Sequence, residues 1–263
     1  MNKSDRPVIL VSNDDGIHAP GIAALATALD AVGEVWVVAP DRERSAVGHA
    51  LTLHRPLTAD QLGPRRFAVN GTPSDCVNLG VLGVLPEAPV LVVSGVNHGS
   101  NLGDDVTYSG TVSAAMEGTL LGVPSMAVSQ VDPETEGFDR AGAVARAVAM
   151  RLLVEGLPAK TLLNVNVPRG EVKGIRLTRL GHRVYREKVI QEMDPRGRPY
   201  YWIGAGPPEW AEDSGADIAA VHEGYASVTP LHLDLTHHGA LGRMTEWEGA
   251  LNAVLKPKKK RGR

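Results

Sequence analysis

Cysteine, aromatic side chains and long apolar runs are all scarce in this chain. There is one cysteine, Cys76, in 263 residues. That excludes an intramolecular disulfide and a cysteine-based metal cluster, and it fits a reducing compartment. Aromatics make up 4% of the residues, so a core has to be built from Val, Leu, Ala and Ile. No segment approaches the roughly 20 apolar residues of a membrane span, and the stretch ending at Val11 is too short for a secretory leader. A cytoplasmic protein without membrane contact is expected. The formal net charge of −3 gives no general pull toward nucleic acid or anionic lipid, so no specific nucleic-acid binding is expected. Basic residues cluster once, at 256–263, which reads as a solvated tail; a nucleic-acid or polyphosphate contact is the other reading.

What is present is an ordinary globular composition, 43% hydrophobic and 22% charged, with a regular alternation of elements. Val8-Ile9-Leu10-Val11 is a continuous apolar run, the pattern of a central parallel strand buried on both faces. Residues 21–32 follow at helical spacing, with Gly33 as a stop. Val35-Trp36-Val37-Val38-Ala39 is a second strand, which completes a βαβ unit. A helix is predicted over 74–83, a strand at 90–93, a helix over 111–121, a strand at 125–128, a helix over 138–155 and a strand at 162–167. This is an α/β doubly wound, mostly parallel sheet. From about residue 170 the texture becomes β-rich. Residues 175–180 alternate with period two, 183–204 read as a long hairpin around Asp194-Pro195-Arg196-Gly197, 225–231 as a strand and 245–255 as a short helix. The expected organisation is a core at 1–170, a β-rich extension at 171–255 that completes the domain and mediates oligomerisation, and the basic tail. A protruding hairpin buries few of its own apolar residues, so it is expected to pack on another subunit.

Open α/β sheets bind ligands outside the carboxyl ends of their strands. After the first strand stands Asn13-Asp14-Asp15-Gly16. In a turn eased by Gly16, both carboxylates can reach one site, and a divalent cation removes their mutual repulsion. Alone, the pair is equally consistent with a solvated turn. After the second strand, a polar loop offers the hydroxyl of Ser45 and the guanidinium groups of Arg42 and Arg44; without context it is an exposed charged loop. After the third strand, Ser94 to Asp105 is rich in Gly, Asn and Asp and runs on to Ser109-Gly110-Thr111 at a helix start, an arrangement suited to anions. Ser109 or Thr111 also suits a plain helix cap, but a cap does not explain the preceding residues. His18, His49, His54 and His98 lie near the same face without zinc spacing. His237-His238 reads as structural, and Cys76 as a small buried apolar residue.

Read together, these loops resemble the SurE family, stationary-phase survival proteins that act as 5′/3′-nucleotidases. The resemblance rests on Ile9 to Gly16 with Ala19-Pro20-Gly21-Ile22, on Val38-Ala39-Pro40-Asp41 with Ser45, and on Asn70-Gly71-Thr72-Pro73 with Asp75-Cys76-Val77. It is longest from Ser94-Gly95-Val96-Asn97 through Gly99, Asn101, Gly103, Asp105 and Tyr108-Ser109-Gly110-Thr111-Val112 to Glu117-Gly118. His98 departs from the pattern. The resemblance implies a Rossmann-like core and one divalent cation per subunit, Mg²⁺ or Mn²⁺, held by Asp14, Asp15, Ser45 and Asn97. It implies phosphate binding by Asn101, Ser109, Gly110 and Thr111. It also implies a homodimer or tetramer that exchanges C-terminal segments. The expected reaction is metal-dependent hydrolysis of nucleoside monophosphates, with 3′-nucleotidase and exopolyphosphatase activity left open. Asp14 and Asp15 are the catalytic candidates, one of them a possible base. Two other classes remain: a metal-dependent nucleotide-sugar transferase and a non-catalytic nucleotide-binding stress protein.

Overall fold

The computed structural model describes residues 6–131, 137–184, 188–205, 209–211 and 213–255; the basic tail lies outside them. Residues up to Leu231 form one compact unit, and a second begins at His232. The first half contains β1 (Val8–Ser12), α1 (Pro20–Leu29), β2 (Glu34–Pro40), β3 (Ala59–Gly63), β4 (Arg66–Val69), α2 (Pro73–Leu79), β5 (Leu91–His98), α3 (Gly110–Leu120) and β6 (Ser125–Gln130). Then come α4 (Asp139–Glu155), β7 (Thr161–Val167), β8 (Ile175–Leu177), β9 (Arg183–Val184), β10 (Lys188–Met193), β11 (Pro199–Ala205) and β12 (Glu209–Trp210). The chain continues with α5 (Asp217–His222), β13 (Ala226–His232), α6 (His238–Met244) and α7 (Trp247–Leu255).

A nine-stranded sheet has the order β3-β4-β2-β1-β5-β6-β7-β13-β8. Pairings from β4 through β7 are parallel, as is β13 on β8, while edge strand β3 runs antiparallel to β4. The apolar run at 8–11 is central, and every residue of β1 is buried. Ile9 and Val11 join one core with Ile22, Leu25 and Leu29 of α1 and Val144, Val148 and Leu152 of α4. Val8 and Leu10 join the opposite core with Cys76 and Val77 of α2 and Ala114 of α3. Helices on both faces thus explain a strand with no polar alternation. Each buried Val, Leu or Ile among these contributes about 1.5–3 kcal/mol by leaving water. Cys76 is fully buried, and burial pushes its thiol well above the usual range, which makes it unreactive packing.

Departures from the sequence reading have local causes. Residues 59–69 form β3 and β4, although β3, Ala-Asp-Gln-Leu-Gly, is a largely exposed edge with nothing to alternate. The helix predicted over 74–83 starts one residue earlier, where Thr72 and Asp75 cap each other reciprocally, and passes into a π-type turn at Gly80–Val84. The helix predicted over 21–32 stops at Leu29. The alternation at 175–180 yields a strand of three residues. Helices α5 and α6 are too short for their periodicity to register.

The expected hairpin is β10 against β11. Asp194 takes the Arg196 and Arg198 N–H groups on its carboxylate at 2.8 and 2.9 Å and closes the turn. Ile190, Tyr201, Trp202 and Ile203 on it are exposed. In the second unit, Leu241, Trp247, Leu251 and Leu255 of α6 and α7 are exposed as well. There His237 caps α6 by accepting from Ala240 N at 3.0 Å, and His238 pairs with Asp234 at 2.8 Å, so the histidine pair has structural partners. Among the described residues no helix is long and apolar enough to cross a membrane.

Candidate active site at the carboxyl edge of the sheet

The chain leaves β1 through a turn that the sequence makes rigid. Asn13 is buried and its Nδ2 donates to Gly16 O at 3.0 Å. Gly16 has φ +97, and a Cβ there would lie 2.9 Å from the Arg42 carbonyl carbon, so only glycine lets the next loop pass. That loop is tied back where Arg44 N donates to Asp14 O at 2.7 Å. The turn brings Asp14, buried, and Asp15, half-buried, to one cavity of about 590 Å³. Glu43, Ser45, Asn97, His98, Asn101, Asp105, Tyr108, Ser109 and Arg183 also line it.

The two carboxylates are held differently. Thr111 Oγ donates to Asp14 Oδ1, while His98 N donates to Asp15 Oδ2 at 3.1 Å. Burial pushes the Asp14 carboxyl up from 3.8 to about 6; the charge of Asp15 adds to the rise and the Thr111 hydroxyl opposes it. Burial raises Asp15 too, against the pull of the His98 N–H. Ser45 Oγ donates to Glu43 Oε1 at 2.8 Å, which leaves its oxygen lone pairs as acceptors. Asn97 Nδ2 donates to Gly99 O at 2.9 Å, so the amide oxygen is the end left for a ligand.

Asn101 is gripped from beneath. Its N–H donates to Asn166 Oδ1 at 2.8 Å, and its carbonyl accepts from Asn164 Nδ2 at 2.8 Å and Asn166 Nδ2 at 3.0 Å. Its side-chain Nδ2 meets Ser129 Oγ at 2.8 Å. The sequence reading passed over Asn164 and Asn166, although a signal was there: two asparagines inside an apolar buried strand must find partners. Ser109 caps α3 by accepting from Val112 N at 3.1 Å and still lines the cavity. Gly110 and Thr111 are placed one step behind, against Asp14, rather than among the lining side chains.

Arg183 is the other residue the sequence reading passed over. It enters from β9 in the extension, with Nη1 2.7 Å from Asp105 Oδ1 and its N–H donating to Asp104 Oδ2 at 3.0 Å. Nothing local in the sequence marks it, because the approach is made by the fold. Asp217 of α5 secures that approach, its carboxylate accepting from Gly103 N and Gly181 N, each at 2.9 Å. Of the candidate histidines, His98 lines the cavity, and His49 instead meets Glu117.

A protein-family model described as "Survival protein SurE" matches residues 9–187. The chain belongs to the SurE family. It is 58% identical over 243 residues to a protein of Syntrophotalea carbinolica named 5′-nucleotidase SurE, with 91% of this chain and 97% of that one covered. A Geobacter sulfurreducens protein of the same name is 55% identical over 244 residues, covering 91% and 93%. The crystal structure of the SurE protein from Aquifex aeolicus superposes with a TM-score of 0.83 at 45% identity, covering 92% of this chain and all of that one. The SurE fold, a mostly parallel α/β sheet, is therefore the fold of this chain.

Proposed function

We propose that Asp14, Asp15, Ser45 and Asn97 hold a divalent cation with which this chain, a 5′-nucleotidase, hydrolyses nucleoside monophosphates. The observation that carries the cation is the sign of the cavity. Four lining carboxylates, Asp14, Asp15, Glu43 and Asp105, outnumber the two basic groups, the Arg183 guanidinium and the His98 imidazole. A phosphate dianion is repelled by such a lining unless a cation lies between them. Among the described residues no three of His, Cys, Asp and Glu converge to hold a metal by themselves, so the neutral oxygens of Ser45 and Asn97 are needed. Two carboxylates, a hydroxyl and an amide oxygen form a hard, all-oxygen set suited to Mg²⁺ or Mn²⁺. When bound, the cation neutralises phosphoryl oxygens and lowers the pKa of a water.

The chain's own groups do the rest. Asn101, Ser109 and the first-turn N–H groups of α3 at Gly110 and Thr111 orient the phosphate and stabilise its developing charge. Thr111 also fixes the rotamer of Asp14. One of Asp14 and Asp15 takes the proton of the attacking water. The transferase and non-catalytic readings find no support among the curated relatives, which carry a hydrolase name. The exposed apolar residues of the β10–β11 hairpin, and separately those of α6 and α7, support a homodimer or tetramer formed through the extension at 171–255.

Phosphate release across a panel of 5′- and 3′-nucleotides and polyphosphate, with and without EDTA, tests this reading. Release from AMP or GMP is expected to stop in EDTA and return with Mn²⁺ or Mg²⁺. Turnover that persists in EDTA would remove the cation from the account.

A further inference from the structure

Residues 41–58, between β2 and β3, carry Ser45, yet none of them is buried. With so little apolar anchorage, the segment's position is set by polar bonds: Thr72 Oγ donates to Ala50 O at 2.7 Å, Arg55 Nη2 to Asn70 O at 2.6 Å, and others reach two buried carboxylates, Asp75 of α2 and Glu117 of α3. Asp75 accepts from Thr52 N at 2.8 Å and Thr52 Oγ at 2.6 Å. Glu117 accepts from Asn78 Nδ2 at 2.8 Å and pairs with His49 Nε2 at 2.8 Å. His49 is therefore the first tie to the helices after Ser45.

The chain between them is strained. Ala46 has φ 57 and Gly48 has φ 59, and the left-handed region is unfavourable for alanine. Such a conformation persists where the surroundings fix it from both ends. Arg44 N on Asp14 O fixes one end, and His49 on Glu117 fixes the other. Helix α3 thus presents Ser109 to the cavity at its N-terminus and, two turns on, grips the loop that brings Ser45 to the same cavity.

We propose that Glu117 is a positioning residue for the cation site: through His49 it sets where Ser45 stands relative to Asp14 and Asp15. This rests on the reading of Ser45 as a cation ligand. Asn78 keeps one bond to Glu117 when His49 is altered, so the packing of α2 on α3 and the placement of the loop can be separated.

The test is Mn²⁺ binding by titration calorimetry or electron paramagnetic resonance, on the full chain, with hydrogen exchange over 41–58 as a second readout. His49→Ala is expected to weaken Mn²⁺ about ten-fold, the scale of losing an outer partner of a metal site. The Mn²⁺ concentration for half-maximal turnover rises by the same factor, kcat at saturating Mn²⁺ holds, and amides around 44–52 exchange faster. His49→Gln, which keeps a donor for Glu117, returns affinity and protection toward wild type. Glu117→Gln weakens Mn²⁺ in the same direction. Unchanged Mn²⁺ affinity in His49→Ala overturns the proposal, and so does a fall in kcat at saturating Mn²⁺ with affinity unchanged. If Asp14→Asn binds Mn²⁺ as wild type does, the cation reading itself fails and this inference with it. If Asp14→Asn loses Mn²⁺ and His49→Ala does not, this inference alone fails.

Discussion

Asp14→Asn ends metal-dependent phosphate release and raises the melting temperature of the metal-free protein. Both effects follow from one buried carboxylate. Its folded pKa is about 6 against an ordinary 3.8, so between those values the folded state binds the proton more tightly than the unfolded state. The contribution of Asp14 to stability is then fully present below about pH 4 and is lost as pH rises through about 6, where it ionises in the fold. The difference of 6 − 3.8 corresponds to about 3 kcal/mol of destabilisation at neutral pH. Asn removes the charge, keeps an oxygen for the Thr111 hydroxyl and ends the repulsion with Asp15. Recovery of about half of that energy raises the melting temperature by about 3–6 °C. Mn²⁺ raises the melting temperature of wild type and leaves the variant unmoved. The same proton competes with the cation, so the Mn²⁺ requirement of wild type climbs as pH drops below about 6. A variant that melts lower than metal-free wild type at pH 7.5, or that keeps metal-dependent turnover, contradicts this account of Asp14.

Gly110→Ala is the second large effect, and it separates geometry from charge. A Cβ at position 110 would stand 2.8 Å from both Cβ and Oδ2 of Asp14. Asp14 is packed on every side but the cavity, so yielding to that Cβ shifts its carboxylate out of register with Asp15. Alanine is a better helix former than glycine, which offsets part of the local strain at the start of α3. The expected result is a fall of about 100-fold in kcat/KM, the scale of an active-site misplacement near 1 Å. Circular dichroism is expected to match wild type, and Mn²⁺ affinity to fall with activity. Wild-type kcat/KM in Gly110→Ala would mean that Asp14 has slack the packing does not show.

The fold was legible where burial imposes a period. Val8 to Val11 announced a strand covered on both faces, and residues 138–155 announced a helix along one. It was illegible where nothing is buried, as in β3, or where an element makes barely two turns, as in α5. The candidate site was legible at strand ends, because chain direction delivers Asp14, Asp15 and Asn97, and the loops that carry Ser45 and Ser109, to the same edge. Thr111 was harder. Its type suggested an anion ligand, yet the structure turns its hydroxyl onto Asp14, a choice set by how α3 packs on β1. The partners of Arg183 and Glu117 could not be read, since each lies across more than sixty residues of chain. Asn164 and Asn166 stand between these cases: their need for partners was written in the strand, and the identity of the partner, Asn101, was not.

The central claim is that one cation is held by two carboxylates and two neutral oxygens at this edge. Anomalous diffraction from crystals soaked in Mn²⁺ measures that directly. The account predicts one strong peak about 2.0–2.4 Å from oxygens of Asp14, Asp15, Ser45 and Asn97. A peak elsewhere, or one that leaves Ser45 and Asn97 out of its coordination, would contradict it.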